Sequence, residues 1–523
     1  MTADVLDRFS PATREWFGTT FREPTAAQAQ GWPAIANGDH ALILAPTGSG
    51  KTLTAFLHAI DRLSTAEEPA RDERLRVLYI SPLKALAVDV DKNLRAPLRG
   101  VQLAAERLGL VWREPTVGVR TGDTDQSERQ RMLRTPPDIL ITTPESLFLL
   151  LTSRARETLR HVDTVIVDEI HALAPSKRGS HLALSLERLE DEIARAGNPP
   201  PQRIALSATQ RPLDEIARFL GGAHDVDGRL EPRPVTIVDA GVRKALELDV
   251  VVPVEDMGDL GAVVEPATEL AGPTRRSIWP AMHPRLLDLV EEHTSTLIFV
   301  NARRLAERLA ATLNELHERR VRDRRLAALG LDPGAAADSD DPTLIAALAE
   351  PVPELLRAHH GSLSRERRLQ IEDDLKGGRL RGLVATSSLE LGIDMGAVDL
   401  VIQVSSPGSV SRGLQRIGRA GHQVGQPSKG TLFPKFRGDL LETAVVVQRM
   451  EAGEIEPTRY PRNPIDVLCQ QIVAMTAMED VTVNELARTV RRAAPFADLS
   501  DDVLEATLDL LAGRYPSDEF SEL

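Results

Sequence analysis

ALILAPTGSGKT, running from Ala41 to Thr52, sets an apolar run before a turn that holds Gly48 and Gly50 and closes on Lys51 and Thr52. That order reads as a buried strand, a glycine-bearing loop and a helix start. In such a loop the backbone curls so that the amide N–H groups of Thr47, Gly48, Ser49 and Gly50 face an anion. Lys51 can then reach the β and γ oxygens of a nucleoside triphosphate, and the Thr52 hydroxyl suits Mg²⁺. The spacing departs from GxxxxGK[ST] at its first glycine, which is Ala45 here, so φ at Ala45 must stay below zero. By itself the stretch also suits an ordinary strand-to-helix turn rich in small residues.

Its surroundings decide. Apolar, β-branched runs recur between amphipathic stretches: RVLYIS at 76–81, DILITT at 138–143, TVIVDE at 164–169 and RIALSA at 203–208. This rhythm predicts a parallel α/β sheet. A second series follows, STLIFVN at 295–301, RGLVATS at 381–387 and DLVIQV at 399–404, with helical patterns between. Two similar α/β units therefore lie in tandem, expected over 1–240 and 241–437. VRKALELDVVVPVED reads as a linker entering the first strand of the second unit, with a hinge near Gly241. The stretch 256–280 has no clear period, and Leu329 to Thr343 reads as an acidic surface insertion. Beyond 438 the strand rhythm gives way to helices, so 438–523 is expected to be a third, smaller and mainly helical unit.

The formal charge is −14, from 63 basic and 77 acidic residues, so the overall balance gives no reason to expect a polyanion partner. A nucleic-acid groove needs only local positive charge, and the arginines between Arg303 and Arg325 are a candidate. Glu307, Glu315 and Glu318 interrupt them, and a solvated helix face is the preferred reading. Aromatic residues make up 3%, which argues against base stacking as the main binding device. The single cysteine, Cys469, excludes an intrachain disulfide and any cysteine-rich zinc module, as suits a reducing cytoplasm. No apolar run approaches the roughly 20 residues of a membrane span, so a soluble, cytoplasmic chain is expected.

The chemistry-bearing residues stand directly after the apolar runs, where open α/β sheets bind ligands. Asp168 and Glu169 end TVIV and begin DEIH. One carboxylate can hold the Mg²⁺ shell opposite Thr52 while the other orients and deprotonates water. An acidic pair after a strand also serves as a simple helix cap. Ser207, Ala208 and Thr209 end another apolar run. In the second unit QRIGRAGH, at 415–422, offers Arg416 and Arg419 for the charge of a phosphoryl-transfer transition state, although a basic loop beside a helix has the same composition.

Taken together, APTGSGKT, DEIH, SAT, ATSSLELGID at 385–394 and QRIGRAGH occur in the order seen in superfamily 2 helicases. SPLKALA at 81–87, RTGDT at 120–124, TTPESL at 142–147 and HHGSLS at 359–364 fit the same pattern, as do Phe21, Pro24, Thr25 and Gln28 upstream. The wording of SPLKALAVDVDKNLRAPL and YPRNPIDVLCQQIVA resembles the large helicase-related (Lhr) family over nearly the whole chain. The resemblance implies two RecA-like units with ATP in the cleft, followed by a partial winged-helix region. It implies that Gln28 reads adenine, that Asp394 sits near the ribose, and that Gln415, Arg416 and Arg419 close the site, with Arg419 the principal finger. Where many members end the last string in arginine, this chain has His422.

The same resemblance implies a nucleic-acid track over Pro82, Lys84, Arg120, Thr121, Gly122, Thr143, Asn301, His360, Gly361 and Thr386. Such groups can grip phosphates without reading bases, and for any single Thr or Gly a turn role competes with contact. The implied function is an ATP-dependent translocase that loads on single-stranded DNA and moves 3′ to 5′. It would open DNA or RNA:DNA duplexes, in DNA repair at the level of the family. An RNA remodeller that does not walk and an ATP-gated binding scaffold are the rival readings. Relatives continue beyond the winged helix while this chain stops at Leu523, so a truncated product is expected, in which hydrolysis is more secure than unwinding.

Overall fold

The computed structural model describes residues 3–46, 49–208, 210–241, 245–258, 263–264, 274–275, 277–330, 349–391, 396–421 and 426–514. The chain divides into two units, Met1–Val242 with Pro457–Leu523, and Arg243–Glu456.

The first unit is built on strands β1 (Ala41–Leu44), β2 (Val77–Ile80), β3 (Val117–Arg120), β4 (Ile139–Thr142), β5 (Thr164–Val167), β6 (Gln202–Ser207) and β9 (Thr236–Asp239). A separate hairpin pairs β7 (Ala223–Val226) with β8 (Arg229–Pro232). The main sheet has the order β3-β4-β2-β5-β6-β1-β9, with every pair parallel. Every residue of β1, β2, β4 and β5 is buried, as a sheet covered on both faces requires. Successive side chains feed opposite cores. Leu42, Leu44, Leu78 and Ile80 join one cluster, while Ala41, Ile43, Val77 and Tyr79 join the other.

The C-terminal helices Ile465–Thr476, Val483–Arg492 and Asp501–Leu511 add Leu468, Ile472, Val490 and Leu504 to the first of those clusters. The first two pack on helix Lys177–Arg195, which follows DEIH, and the third packs on the first. Polar bonds fix the register: Arg188 Nη1 donates to Gln471 Oε1 (2.7 Å), and Gln471 Nε2 donates to the Ser185 hydroxyl (3.0 Å). Below them Glu187 is wholly buried between Arg203 (2.7 Å) and Arg233 (3.1 Å), with Arg492 at 3.4 Å. Burial alone would raise its carboxyl, but Arg203 and Arg233 outweigh that and hold it below the ordinary range.

The second unit contains β10 (Leu246–Val250), the short pair β11 (Val263–Val264) and β12 (Thr274–Arg275), then β13 (Thr296–Phe299), β14 (Leu356–His359), β15 (Gly382–Ala385), β16 (Leu400–Val404) and β17 (Ser428–Phe433). Its main sheet runs β10-β17-β16-β13-β15-β14, again all parallel. Helix Arg437–Ala452 belongs to this unit and packs on helix Val410–Ile417, so the helical stretch after 438 is shared between the two units. The fold class read from the sequence, two tandem parallel α/β units, is what the chain adopts. Most of the insertion read at 329–343 and much of 256–280 lie outside the described residues. Among the described residues no helix is long and apolar enough to cross a membrane.

Candidate active site

At the end of β1 the chain turns into helix Lys51–Thr65 through Gly50, whose φ of 77° is left-handed. A Cβ at Gly50 would also stand 2.8 Å from Gln28 Nε2, so any other residue would have to displace the end of that side chain besides adopting a strained φ. Among the described residues the non-glycine positions with positive φ are Glu169, Asp227, Ser405 and Asn463. Ala45 thus keeps the negative φ its place demanded. The upstream residues meet this loop directly: the Thr25 hydroxyl donates to the Ser49 carbonyl (2.9 Å), and Gln28 Oε1 accepts the Thr25 N–H (2.9 Å) in a reciprocal cap. Thr52 is half-buried on the first helical turn, while Thr47 and Gly48 lie outside the described residues.

Lys51 is buried, and its ammonium donates to the carbonyl of Ser207 at the end of the neighbouring β6 (3.3 Å). On the other side of β6, β5 ends in Asp168 and Glu169, both buried. Burial, then the adjacent Glu169 charge, pushes the Asp168 carboxyl up to about 7, with Lys51 among the groups opposing them. Glu169 sits at φ 43°, a left-handed conformation that costs a side-chain-bearing residue about 1–2 kcal/mol. Strain of this kind is held where surrounding structure over-determines it.

Two groups here were not singled out from the sequence. His171, the last letter of DEIH, has Nδ1 3.3 Å from Glu169 Oε2 and 3.4 Å from the Ser207 hydroxyl, and it accepts the Ala208 N–H (3.3 Å). It ties DEIH to SAT; Thr209 lies outside the described residues. Tyr79, hidden inside the apolar run RVLYIS, stacks on Phe56 at 4.8 Å, and burial followed by the Asp168 charge raises its phenol. Its buried hydroxyl faces the Asp168 carboxylate.

The other first-unit residues lie at the carboxyl ends of β2, β4 and β3, consecutive strands of the sheet. Pro82 is buried; Lys84 is half exposed and pairs with Asp123 (2.5 Å). Arg120 is half-buried at the end of β3, and Arg129 holds the carbonyls of Thr121 (3.3 Å) and Gly122 (3.1 Å). The Thr143 hydroxyl caps helix Pro144–Leu151, and that of Thr121 accepts the Asp123 N–H (3.2 Å). Both hydroxyls therefore have turn roles.

In the second unit Asn301, His360 and Thr386 follow β13, β14 and β15, again neighbours. The Asn301 amide donates to the Ser406 carbonyl (3.0 Å) and accepts from Arg416 (3.1 Å). His360 Nε2 meets Glu307 (2.5 Å), Gly361 is exposed, and the Thr386 N–H donates to the His359 carbonyl (3.3 Å). Gln415 is half-buried, while Arg416 and Arg419 are buried. Asp394 and His422 lie outside the described residues.

The DEAD/DEAH box helicase family matches residues 25–216, the helicase conserved C-terminal domain 350–423, and the large helicase-related protein winged helix domain 448–523. The chain is 55% identical over 524 residues to the Lhr helicase/probable uracil glycosylase of Mycolicibacterium smegmatis, covering 100% of this chain and 33% of that protein. It is 40% identical over 514 residues to the ATP-dependent helicase Lhr-Core protein 2 of Thermococcus barophilus, covering 98% and 53%. Among solved structures, Mycobacterium smegmatis helicase Lhr bound to ssDNA and AMP-PNP superposes with a TM-score of 0.81 at 54% identity, over 97% of this chain and 58% of that one. The chain thus spans between a third and about half of the curated relatives' lengths.

Proposed function

The chain belongs to the large helicase-related family of superfamily 2 helicases, and from that premise we propose that it is an ATP-driven motor on single-stranded DNA, moving 3′ to 5′ and opening DNA or RNA:DNA duplexes, with DNA repair as its setting. The observation that carries this reading is the meeting of Lys51, Ser207, Asp168 and Glu169 at the ends of β1, β6 and β5, strands adjacent in one sheet. In this reading Lys51 and the loop from Thr47 to Gly50 hold the phosphates of ATP, and Gln28, beside Gly50, reads adenine. Glu169 takes the proton of the attacking water. Arg419 meets the charge that develops on the transferred phosphoryl group. Asp394 and Gln415 keep the roles the family resemblance gives them.

Two adjoining buried carboxylates, one held near neutrality, suit a divalent cation, so Thr52 and Asp168 would hold Mg²⁺. When bound, the ion supplies charge neutralisation on the phosphates. Pro82, Lys84, Arg120, Thr121, Gly122, Thr143, Asn301, His360, Gly361 and Thr386 would line the path of the strand. Their contacts are to sugar and phosphate, which makes binding indifferent to sequence and sensitive to salt. Strand displacement on duplexes carrying a 3′ or a 5′ single-stranded tail tests the motor. The 3′-tailed duplex should open and the 5′-tailed one should not. Opening that ignores the tail and collapses with duplex length would instead support a local remodeller.

A further inference from the structure

One short turn in the second unit joins the proposed nucleic-acid face to both arginines of QRIGRAGH. It begins at Thr386, passes through the 3-10 turn Ser387–Leu389 and ends at Glu390. His359 pins its start: the histidine carbonyl accepts the Thr386 N–H (3.3 Å) and the Ser388 hydroxyl (3.3 Å), and Nδ1 lies 3.1 Å from that hydroxyl. His359 Nε2 is in turn 3.0 Å from Glu372. At the far end the Glu390 carboxylate accepts Nε (2.8 Å) and Nη2 of Arg416, in a pair whose side chains are 12% and 4% exposed. The Glu390 carbonyl accepts Nη2 of Arg419 (2.9 Å). One residue therefore grips Arg416 by its side chain and Arg419 by its backbone.

Arg416 has little left to offer elsewhere. Its Nη1 donates to Asn301 Oδ1 (3.1 Å) and Gln403 Oε1 (2.8 Å), and the guanidinium lies 5.2 Å from the centre of the Phe299 ring. Every nitrogen of this side chain has an acceptor inside its own unit, so Arg416 acts as a keystone between the ends of β13, β16 and the Thr386–Glu390 turn. Arg419 hangs on the same turn. We propose that Glu390 is the positioning residue that sets Arg419 for ATP turnover. This inference rests on the motor reading given above.

Glu390→Gln keeps size and hydrogen bonding but removes the charge that holds Arg416. Five quantities decide the matter in wild type and variant: kcat for ATP with and without single-stranded DNA, KM for ATP, Kd for single-stranded DNA, hydrogen exchange of 410–421 without nucleotide, and the melting temperature. The variant should lose at least about tenfold in DNA-stimulated kcat, keep KM and Kd within about threefold, and exchange faster at 410–421. Glu390→Asp, which retains the carboxylate, should recover part of the loss. Unchanged kcat, or unchanged exchange at 410–421, overturns the assignment, and so does a parallel loss of kcat, KM, Kd and melting temperature, which would mark ordinary packing. Should Glu390→Gln fail to fold, Glu390→Asp decides by the same split between kcat and KM. If the wild type shows no DNA-stimulated turnover, the motor reading fails, while the exchange measurement still judges whether Glu390 holds the arginines.

Discussion

In Asp168 the proposed catalytic role and stability pull against each other within one side chain. Its carboxyl ordinarily titrates near 3.8 and is raised to about 7 in the fold, first by burial and then by Glu169. The folded protein thus binds this proton more tightly than the unfolded chain, a contribution complete below about pH 4 and lost as pH rises through about 7. Asp168→Asn cannot ionise. We expect the nucleotide-free variant to melt above wild type at about pH 8, by on the order of 1–3 kcal/mol, with the margin shrinking toward pH 5 and turnover abolished. A melting series across that range without Mg²⁺ checks it, and a margin that grows on acidification would contradict it. Sequence supplied Asp168 and Glu169 because two acids after an apolar run stand out. His171 and Tyr79 did not, since a histidine one turn on and a phenol within a buried strand look like core; only their spacing to Ser207, Ala208 and Asp168 gives them meaning.

Helix Lys177–Arg195 follows the DEIH string and carries the C-terminal helices Ile465–Thr476 and Val483–Arg492 along its side, so its buried charges bear on their docking. Glu187→Gln would leave Arg203, Arg233 and Arg492 short of their shared acceptor. Removing one partner of a buried network typically costs about 3–5 kcal/mol, and that loss is the expected result in melting experiments near neutral pH. Because the Glu187 carboxyl is held below its ordinary value, its stabilisation is present above about pH 4.5 and fades as pH falls through the lower folded value. Wild type and variant should converge in acid; equal stability at neutral pH would contradict the network's role. Element by element, legibility followed burial. β1, β2, β4, β5 and β16 announce themselves because both faces are covered and every residue is buried. β3, β9 and β14 lie at sheet edges, where β3 is half-buried throughout and β9 is exposed at both ends, and they offered no long apolar run to read. The docking of the C-terminal helices was equally hidden, since its hydrogen bonds join residues 283 to 305 apart in the chain.

At the scale of the molecule, two parallel sheets repeat one plan: apolar strands inside, with polar and charged residues gathered at their carboxyl ends. That plan was legible because parallel sheets demand it of the sequence. The second unit's internal ties among Glu390, Arg416, Asn301 and Gln403 were not, because four polar residues scattered over four separate stretches become a network only when β13, β15 and β16 lie side by side. The account stands or falls on whether the carboxylates after β5 drive ATP turnover in response to a nucleic-acid strand. The direct measurement is steady-state ATP turnover with single-stranded DNA, with single-stranded RNA and with neither, for wild type and Glu169→Gln. Single-stranded DNA should accelerate the wild type, and Glu169→Gln should bind ATP while losing on the order of 10²-fold or more in turnover. Turnover indifferent to single-stranded DNA, or untouched by Glu169→Gln, would contradict it.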